Sequence, residues 1–324
     1  MTDKYILFWS TYNEKDLTLA DWRNRKVDFS RFHILPMFSH IALKNETYIY
    51  TYQNIDKTPI PKGITLKDAN EILPDFAAFT ALKKGHSIAH ISDAVRLKVA
   101  SQVNGIVIDM DAVMLRKFNI EGSFFSSMPA KMTGGFAPKW GESHPPITVH
   151  DKSWDGKALC AFPLKVSSST SNAIEGLAHR IMINLKEEPN KGWNYILWTI
   201  KKIIKTDLKS VVFPPIKCCP VPAWLRGGKC YSIEKNNRLD GKTKLFGYQL
   251  PSIDNIIENS FVVQHFFESA FSKSEKVNDD FWTYLASSTL LAKEAEYVLG
   301  KAWGTKINLY IKSIEKINEQ NRTA

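Results

Sequence analysis

Cysteine is scarce in this chain, with four in 324 residues: Cys160, Cys218, Cys219 and Cys230. None has the paired spacing of a zinc site, and adjacent Cys218 and Cys219 would make a strained bridge with each other. The sequence therefore reads as one of reduced thiols, which excludes a disulfide scaffold and agrees with a reducing compartment. Long apolar runs are missing as well. The run Tyr5–Trp9 is too short for a signal peptide, and no later stretch approaches the roughly 20 apolar residues of a membrane span. The expected place is the cytoplasm. No Walker pattern or dinucleotide fingerprint surrounds Gly134-Gly135, so that pair is not a phosphate loop. Nothing interleaves basic with aromatic residues as nucleic-acid readers do, so no nucleic acid is expected. No Ser-His-Asp or Cys-His constellation can be read, and no carboxylate is placed as a nucleophile.

What is present is an ordinary globular balance, 44% hydrophobic and 23% charged, in a chain long enough for one large core or two small ones. The formal charge of +10 is local: residues 186–244 hold thirteen Lys or Arg against five Asp or Glu, which is +8. Two readings of that basic surface stand side by side, a solvated face and a peripheral contact with an anionic membrane. Strand patterns at Tyr5–Phe8 and Tyr48–Tyr52 alternate with helical stretches to about residue 118, which argues for a mainly parallel sheet flanked by helices. Residues 119–160 carry many Gly, Pro, Ser and aromatic residues with no period, as functional or mobile segments do. Residues 173–206 read as helical, interrupted near Glu188 to Gly192, and 211–250 as short strands with turns. The segment from Asp279 is helical again.

The most informative stretch is Ser92 to Leu115, SDAVRLKVASQVNGIVIDMDAVML. Ser92 suits an N-cap, with Asp93 in the first turn at the positive end of the dipole. Val95, Val99 and Val103 mark one helical face, and Asn104-Gly105 closes the helix. Asp93 and Arg96, three apart, share a face. The apolar run Ile106 to Ile108 reads as a buried strand, with Asp109 and Asp111 at its end, two apart and thus on one side. Two carboxylates at the carboxyl end of a strand are costly in a core and useful at the mouth of an open α/β sheet. Their hard oxygens select Mg²⁺ or Mn²⁺.

These residues carry a resemblance. SDAVR followed by NGIVIDMDAV resembles the DXD-type sugar-binding glycosyltransferases, a group of bacterial capsule and lipopolysaccharide transferases, fungal initiating mannosyltransferases and, more distantly, large glucosylating toxins. Supporting matches follow in family order from about residue 4 to 270. ILFWS resembles the first strand, whose Trp lies near the nucleotide, and the segment from His40 to Pro74 resembles the next helix, strand and loop. Ser171-Asn172-Ala173-Ile174 resembles the acceptor-side strand, Pro214 to Trp224 a Pro-rich loop, and FVVQHFFES the C-terminal His segment. The chain departs from the family pattern in Asn104-Gly105 for Gly-Gly, in GWNYILWTI where Gly-Pro is common, and in His-Phe-Phe where His-x-Trp is common.

The resemblance implies a GT-A-type, Rossmann-like open sheet over residues 1–275, with a helical extension over 276–324 packed on it. It implies a metal-dependent transfer of a hexose from a nucleotide-diphosphate sugar, UDP-linked rather than GDP-linked, to a saccharide or lipid-linked acceptor, with retained configuration. Surface-polysaccharide synthesis is the implied setting; modification of a host protein by an effector is the alternative. Asp109, Asp111 and His265 would hold Mn²⁺ or Mg²⁺. Asp93, Arg96 and Asp111 would be catalytic. Phe8, Trp9, Ser92, Asp93, Arg96, Asp109 and Asn172 would touch the donor, with Trp9 stacking on the base; Glu268 and Ser269 are weaker candidates. Each has a plainer reading: solvated turn carboxylates, a surface i,i+3 pair, a core Trp, a core His, a turn Asn. Two rival classes remain, a haloacid-dehalogenase-type phosphatase with Asp109 as nucleophile, and a non-catalytic carbohydrate-binding protein.

Overall fold

The computed structural model describes residues 3–13, 15–27, 29, 31–129, 157–187, 189, 194–207, 210–221, 238–245, 248–265 and 289–323. Its first half runs β1 (Lys4–Phe8), α1 (Leu19–Asn24), α2 (Arg31–Ala42), β2 (Glu46–Thr51), β3 (Ile64–Asp68), α3 (Asp75–Lys83), α4 (Ile88–Val103), β4 (Ile106–Val107) and β5 (Ala112–Met114). It continues through β6 (Phe124–Pro129), β7 (Lys157–Lys165), α5 (Ser171–Asn184), α6 (Asn194–Thr206), β8 (Val211–Phe213) and α7 (Pro215–Cys218). Then follow β9 (Lys244–Leu245), β10 (Tyr248–Gln249), α8 (Ile253–Asn259), β11 (Val262–Gln264), α9 (Leu290–Leu299) and α10 (Trp303–Thr323).

The main sheet has seven strands in the order β3-β2-β1-β4-β7-β6-β8. β3, β2, β1 and β4 are parallel neighbours, β7 is antiparallel to both β4 and β6, and β8 is parallel to β6. This is the α/β open sheet that the alternating pattern predicts. β1 is apolar on both faces because both are covered, the expected state of a central parallel strand. Ile6 and Phe8 face a core with α1, α3, α4, α5 and α6, whereas Tyr5 and Leu7 face one with α2, α7, α8, α9 and α10.

A second, two-stranded pairing decides the site. β11 runs antiparallel to β5, with Gln264 opposite Ala112. It brings residues more than 150 positions apart to the loop that follows β4. Leu290, Leu291, Ala292 and Ala295 of α9 join the same core as Val262 and Val263; the boundary at 275/276 lies outside the described residues.

The structure corrects several local expectations. Helix α4 starts four residues earlier than Ser92, at Ile88, and Ser87 is its N-cap, accepting from the Ala89 N–H at 3.2 Å. The apolar pattern runs upstream through Ile88 and Ile91, so the earlier Ser wins the cap, and Ser92 and Asp93 lie inside the helix. The C-cap is as expected: Asn104 has φ 51 and ψ 45, the left-handed conformation Asn tolerates. Gly105 is needed for space, because a Cβ there would stand 2.5 Å from Ile6 Cδ1 and 3.0 Å from the Lys4 carbonyl. β6 lies inside the 119–160 stretch expected to be irregular and β7 overlaps its end; the residues between the two strands lie outside the described ones. Ser171-Asn172-Ala173-Ile174 is not a strand but the first turn of α5.

Candidate functional site

Asp109 follows the carboxyl end of β4, where the Ile108 N–H still bonds the Ile6 carbonyl at 3.1 Å. Asp109 and Asp111 are not on the strand. Both lie in the turn from Asp109 to Ala112, closed by the Ala112 N–H on the Asp109 carbonyl at 3.2 Å. A turn, not strand periodicity, brings the carboxylates together. One amide spans them: Gln264 Nε2 donates to Asp109 Oδ2 at 3.0 Å and to Asp111 Oδ1 at 2.6 Å. Register places that amide, since β11 pairs with β5 and the His265 N–H donates to the Asp111 carbonyl at 3.1 Å.

Arg96 reaches the same loop from α4. Its Nη1 donates to the Ile108 carbonyl at 2.9 Å and to Asp109 Oδ1 at 2.5 Å, while Nη2 donates to Asp93 Oδ1 at 2.9 Å. The guanidinium lies over the Phe162 ring, 4.2 Å from its centroid. The fixed fork of Arg suits this arrangement of three oxygens, which an ammonium could not match. The Asp93–Arg96 pair is thus no surface pair: Asp93 is 1% exposed and Arg96 5%.

Burial dominates the electrostatics. It pushes the Asp93 carboxyl up to about 7; the Arg96 charge opposes this and the Asp109 charge adds to it. Burial also works against the Arg96 cation, but the Asp109 and Asp93 carboxylates more than offset it and raise its pKa. Arg96 therefore stays charged. Arg96 pairs with Asp93 and Asp109, and Asp111 shares the Gln264 amide with Asp109, so the carboxyl groups of the cluster outnumber its one guanidinium. Among the described residues, three buried polar atoms of the cluster lack a hydrogen-bond partner: Asp93 Oδ2, Arg96 Nε and Gln264 Oε1. Such orphans call for a partner, a water or an ion that the protein atoms do not supply.

The remaining sequence candidates divide between the cluster's edge and elsewhere. Trp9 leaves β1 at the same sheet edge, with its N–H on the Tyr50 carbonyl at 3.0 Å and its indole 4.0 Å, centroid to centroid, from the His33 ring. Ser92 is buried in α4 beside Asp93. Phe8 is a core residue, edge-on to Tyr52 at 6.0 Å. His265 is 2% exposed and its Nε2 lies 2.7 Å from Glu294 Oε2, a carboxylate that is itself fully buried. That nitrogen faces α9 rather than the two aspartates. Asn172 is toward the opposite edge of the sheet: the neighbouring Ser171 hydroxyl bonds the Ser101 carbonyl near the C-terminal end of α4, five residues beyond Arg96. Glu268, Ser269 and Gly134-Gly135 lie outside the described residues.

Sequence reasoning missed Gln264, Phe162 and Glu294. Gln264 alone left a trace, as the neighbour of His265 in FVVQHFFES. The oxygens able to hold a hard cation are those of Asp109 and Asp111; among the described residues no group of three or more His, Cys, Asp or Glu does so.

No family model matches the chain, and no curated protein is found similar to it. Among solved structures it is similar to one named PaToxG Glycosyltransferase. Identity is 12%, coverage 64% of this chain and 74% of that one, and the TM-score 0.37. A likeness at that score carries no argument. Among the described residues no helix is long and apolar enough to cross a membrane.

Proposed function

We propose that the chain is a glycosyltransferase that moves a hexose from a nucleotide-diphosphate sugar to a saccharide or lipid-linked acceptor. The observation that carries this reading is the buried Asp93–Arg96–Asp109 bridge ending on the Asp109/Asp111 turn, at the carboxyl edge where open α/β sheets bind ligands. The residues fit a Mn²⁺ or Mg²⁺ ion: two carboxylates converge on one point, and the cluster has more negative than positive charge to neutralise. Asp109 and Asp111 would hold that ion, which when bound offsets the charge developing on a leaving diphosphate.

The chain's own groups do the rest. Arg96, permanently charged and held by three acceptors, is a fixed cation that would stand beside the leaving phosphates. Asp93 Oδ2, buried and with no hydrogen-bond partner among the described residues, would accept from a sugar hydroxyl. Trp9, at the end of β1, is the surface on which the base would stack. In the transfer the bond between the anomeric carbon and the phosphate oxygen breaks with its electron pair going to that oxygen. The acceptor hydroxyl oxygen bonds to carbon, and its proton passes to the leaving phosphate. No general base is assigned.

The phosphatase reading makes Asp109 the nucleophile and would show as phosphatase activity lost in Asp109→Asn. The test is a panel of UDP- and GDP-sugars, with and without MnCl₂, followed by thermal shift and by donor hydrolysis, on the wild type and on Asp109→Ala/Asp111→Ala. Metal-dependent stabilisation by one donor, lost in the double variant, is expected. A panel with no response to any donor would overturn the proposal.

A further inference from the structure

We infer that Gln264 is a third protein ligand of the cation, delivered by turnover of its side-chain amide. The inference rests on the metal-dependent reading above and goes beyond it in naming a ligand and a switch.

In the structure Gln264 Nε2 is within hydrogen-bond distance of Asp109 Oδ2 and Asp111 Oδ1, while Oε1 on the same amide is buried with no partner among the described residues. Two carboxylates can meet an amide only through its NH₂, because turning the carbonyl toward them would set three acceptors together. A dication between the carboxylates inverts that preference. It repels the NH₂ dipole and attracts the carbonyl oxygen. A half-turn of the terminal torsion, which is broad and roughly two-fold, exchanges the two atoms with little movement of the stem.

The distances suit the exchange. Oxygens coordinated at about 2.1 Å in an octahedron are about 3.0 Å from their neighbours. Nε2 is 3.0 Å and 2.6 Å from the two carboxylate oxygens, so Oε1 in its place would stand from each at close to the spacing of neighbouring ligands on one ion. The residue is 1% exposed and pinned by the β11 and β5 ladder, so the amide is held at this point. His265, the ligand expected from sequence, has its Nε2 toward Glu294 instead. Without metal, Gln264 would hold the two like charges together by donating; with metal, it would hold the ion by accepting.

The test is Mn²⁺ binding by the intact chain with MnCl₂ alone, measured by calorimetry and by loss of the free-ion paramagnetic resonance signal. Gln264→Met keeps the length without an oxygen and is expected to bind about tenfold more weakly or worse, the scale on which ligand-shell changes act. Gln264→Glu is expected to bind at least as tightly as the wild type, yet to melt lower than it without metal. In the wild type, Mg²⁺ should move the Gln264 side-chain amide proton upfield as it leaves its carboxylate acceptors. If Gln264→Met does not fold, Gln264→Asn, which withdraws the amide by one methylene, carries the same expectation of weaker binding. Wild-type affinity in Gln264→Met or, where that variant does not fold, in Gln264→Asn would overturn the inference, as would Gln264→Glu binding more weakly than the amide-free variant. Mn²⁺ binding that is lost in Asp109→Ala/Asp111→Ala but kept in the Gln264 variants overturns the inference alone. Binding unchanged in the double aspartate variant overturns the metal reading with it.

Discussion

Replacing Asp93 by Asn should alter how stability depends on pH in a direction opposite to that of most carboxylates. Asp93 is fully buried, and its folded-state pKa of about 7 lies above the ordinary 3.8. The native state therefore holds this proton more tightly than the unfolded chain does. The resulting stabilisation is complete below 3.8 and is lost as pH rises through about 7. At 1.36 kcal/mol per unit, a rise of about three units amounts to about 4 kcal/mol. Asn keeps the Oδ1 acceptor for Arg96 Nη2 and has no proton to lose. Urea unfolding of both proteins in EDTA should therefore give a stability difference that moves by about 4 kcal/mol in favour of the variant between about pH 4 and about pH 8. Taking the difference cancels the acid titration of every other carboxylate. A difference independent of pH, or one moving in favour of the wild type, would refute the reasoning: Asp93 would then be an ordinary charged partner of Arg96.

Arg96→Ala should cost roughly 3–5 kcal/mol in the same assay, because it strips the cation from Asp93 and Asp109 in a buried site. Arg96→Lys should recover only part of that loss, since one ammonium cannot serve Asp93, Asp109 and the Ile108 carbonyl together. His265→Ala should also destabilise, by roughly 1–3 kcal/mol, by removing the imidazole 2.7 Å from the buried Glu294 side chain; His265→Ala/Glu294→Leu should restore much of it. Gly105→Ala should lower stability by roughly 1–3 kcal/mol, because its methyl would meet Ile6 Cδ1 at 2.5 Å and the Lys4 carbonyl at 3.0 Å. Thermal melts in buffer without metal read all of these.

The parts of this fold legible from sequence are those that local chemistry fixes. The apolar runs of β1 and β4 have one stable environment, a sheet covered on both sides. Asn104 ends α4 because a left-handed residue is needed there and Asn tolerates it. Asp93 and Arg96 share a helix face by spacing alone. The N-terminus of α4 was not so fixed, because Ser87 and Ser92 are both capping residues and the apolar period runs through both. Strands β6 and β7 were hidden by their Gly- and Pro-rich surroundings; their partners are remote in sequence.

What the sequence determined by itself is the inventory: an α/β chain, a helix followed by a strand, and a cluster of charges where that strand ends. The tertiary structure alone decided how the charges are used. The pairing of β11 with β5 set Gln264 across the two aspartates, α9 drew His265 toward Glu294, and the antiparallel packing of α5 on α4 carried Asn172 to the far edge. Each is a contact across tens to more than a hundred residues. No local spacing encodes it, because it depends on which surfaces must be buried together.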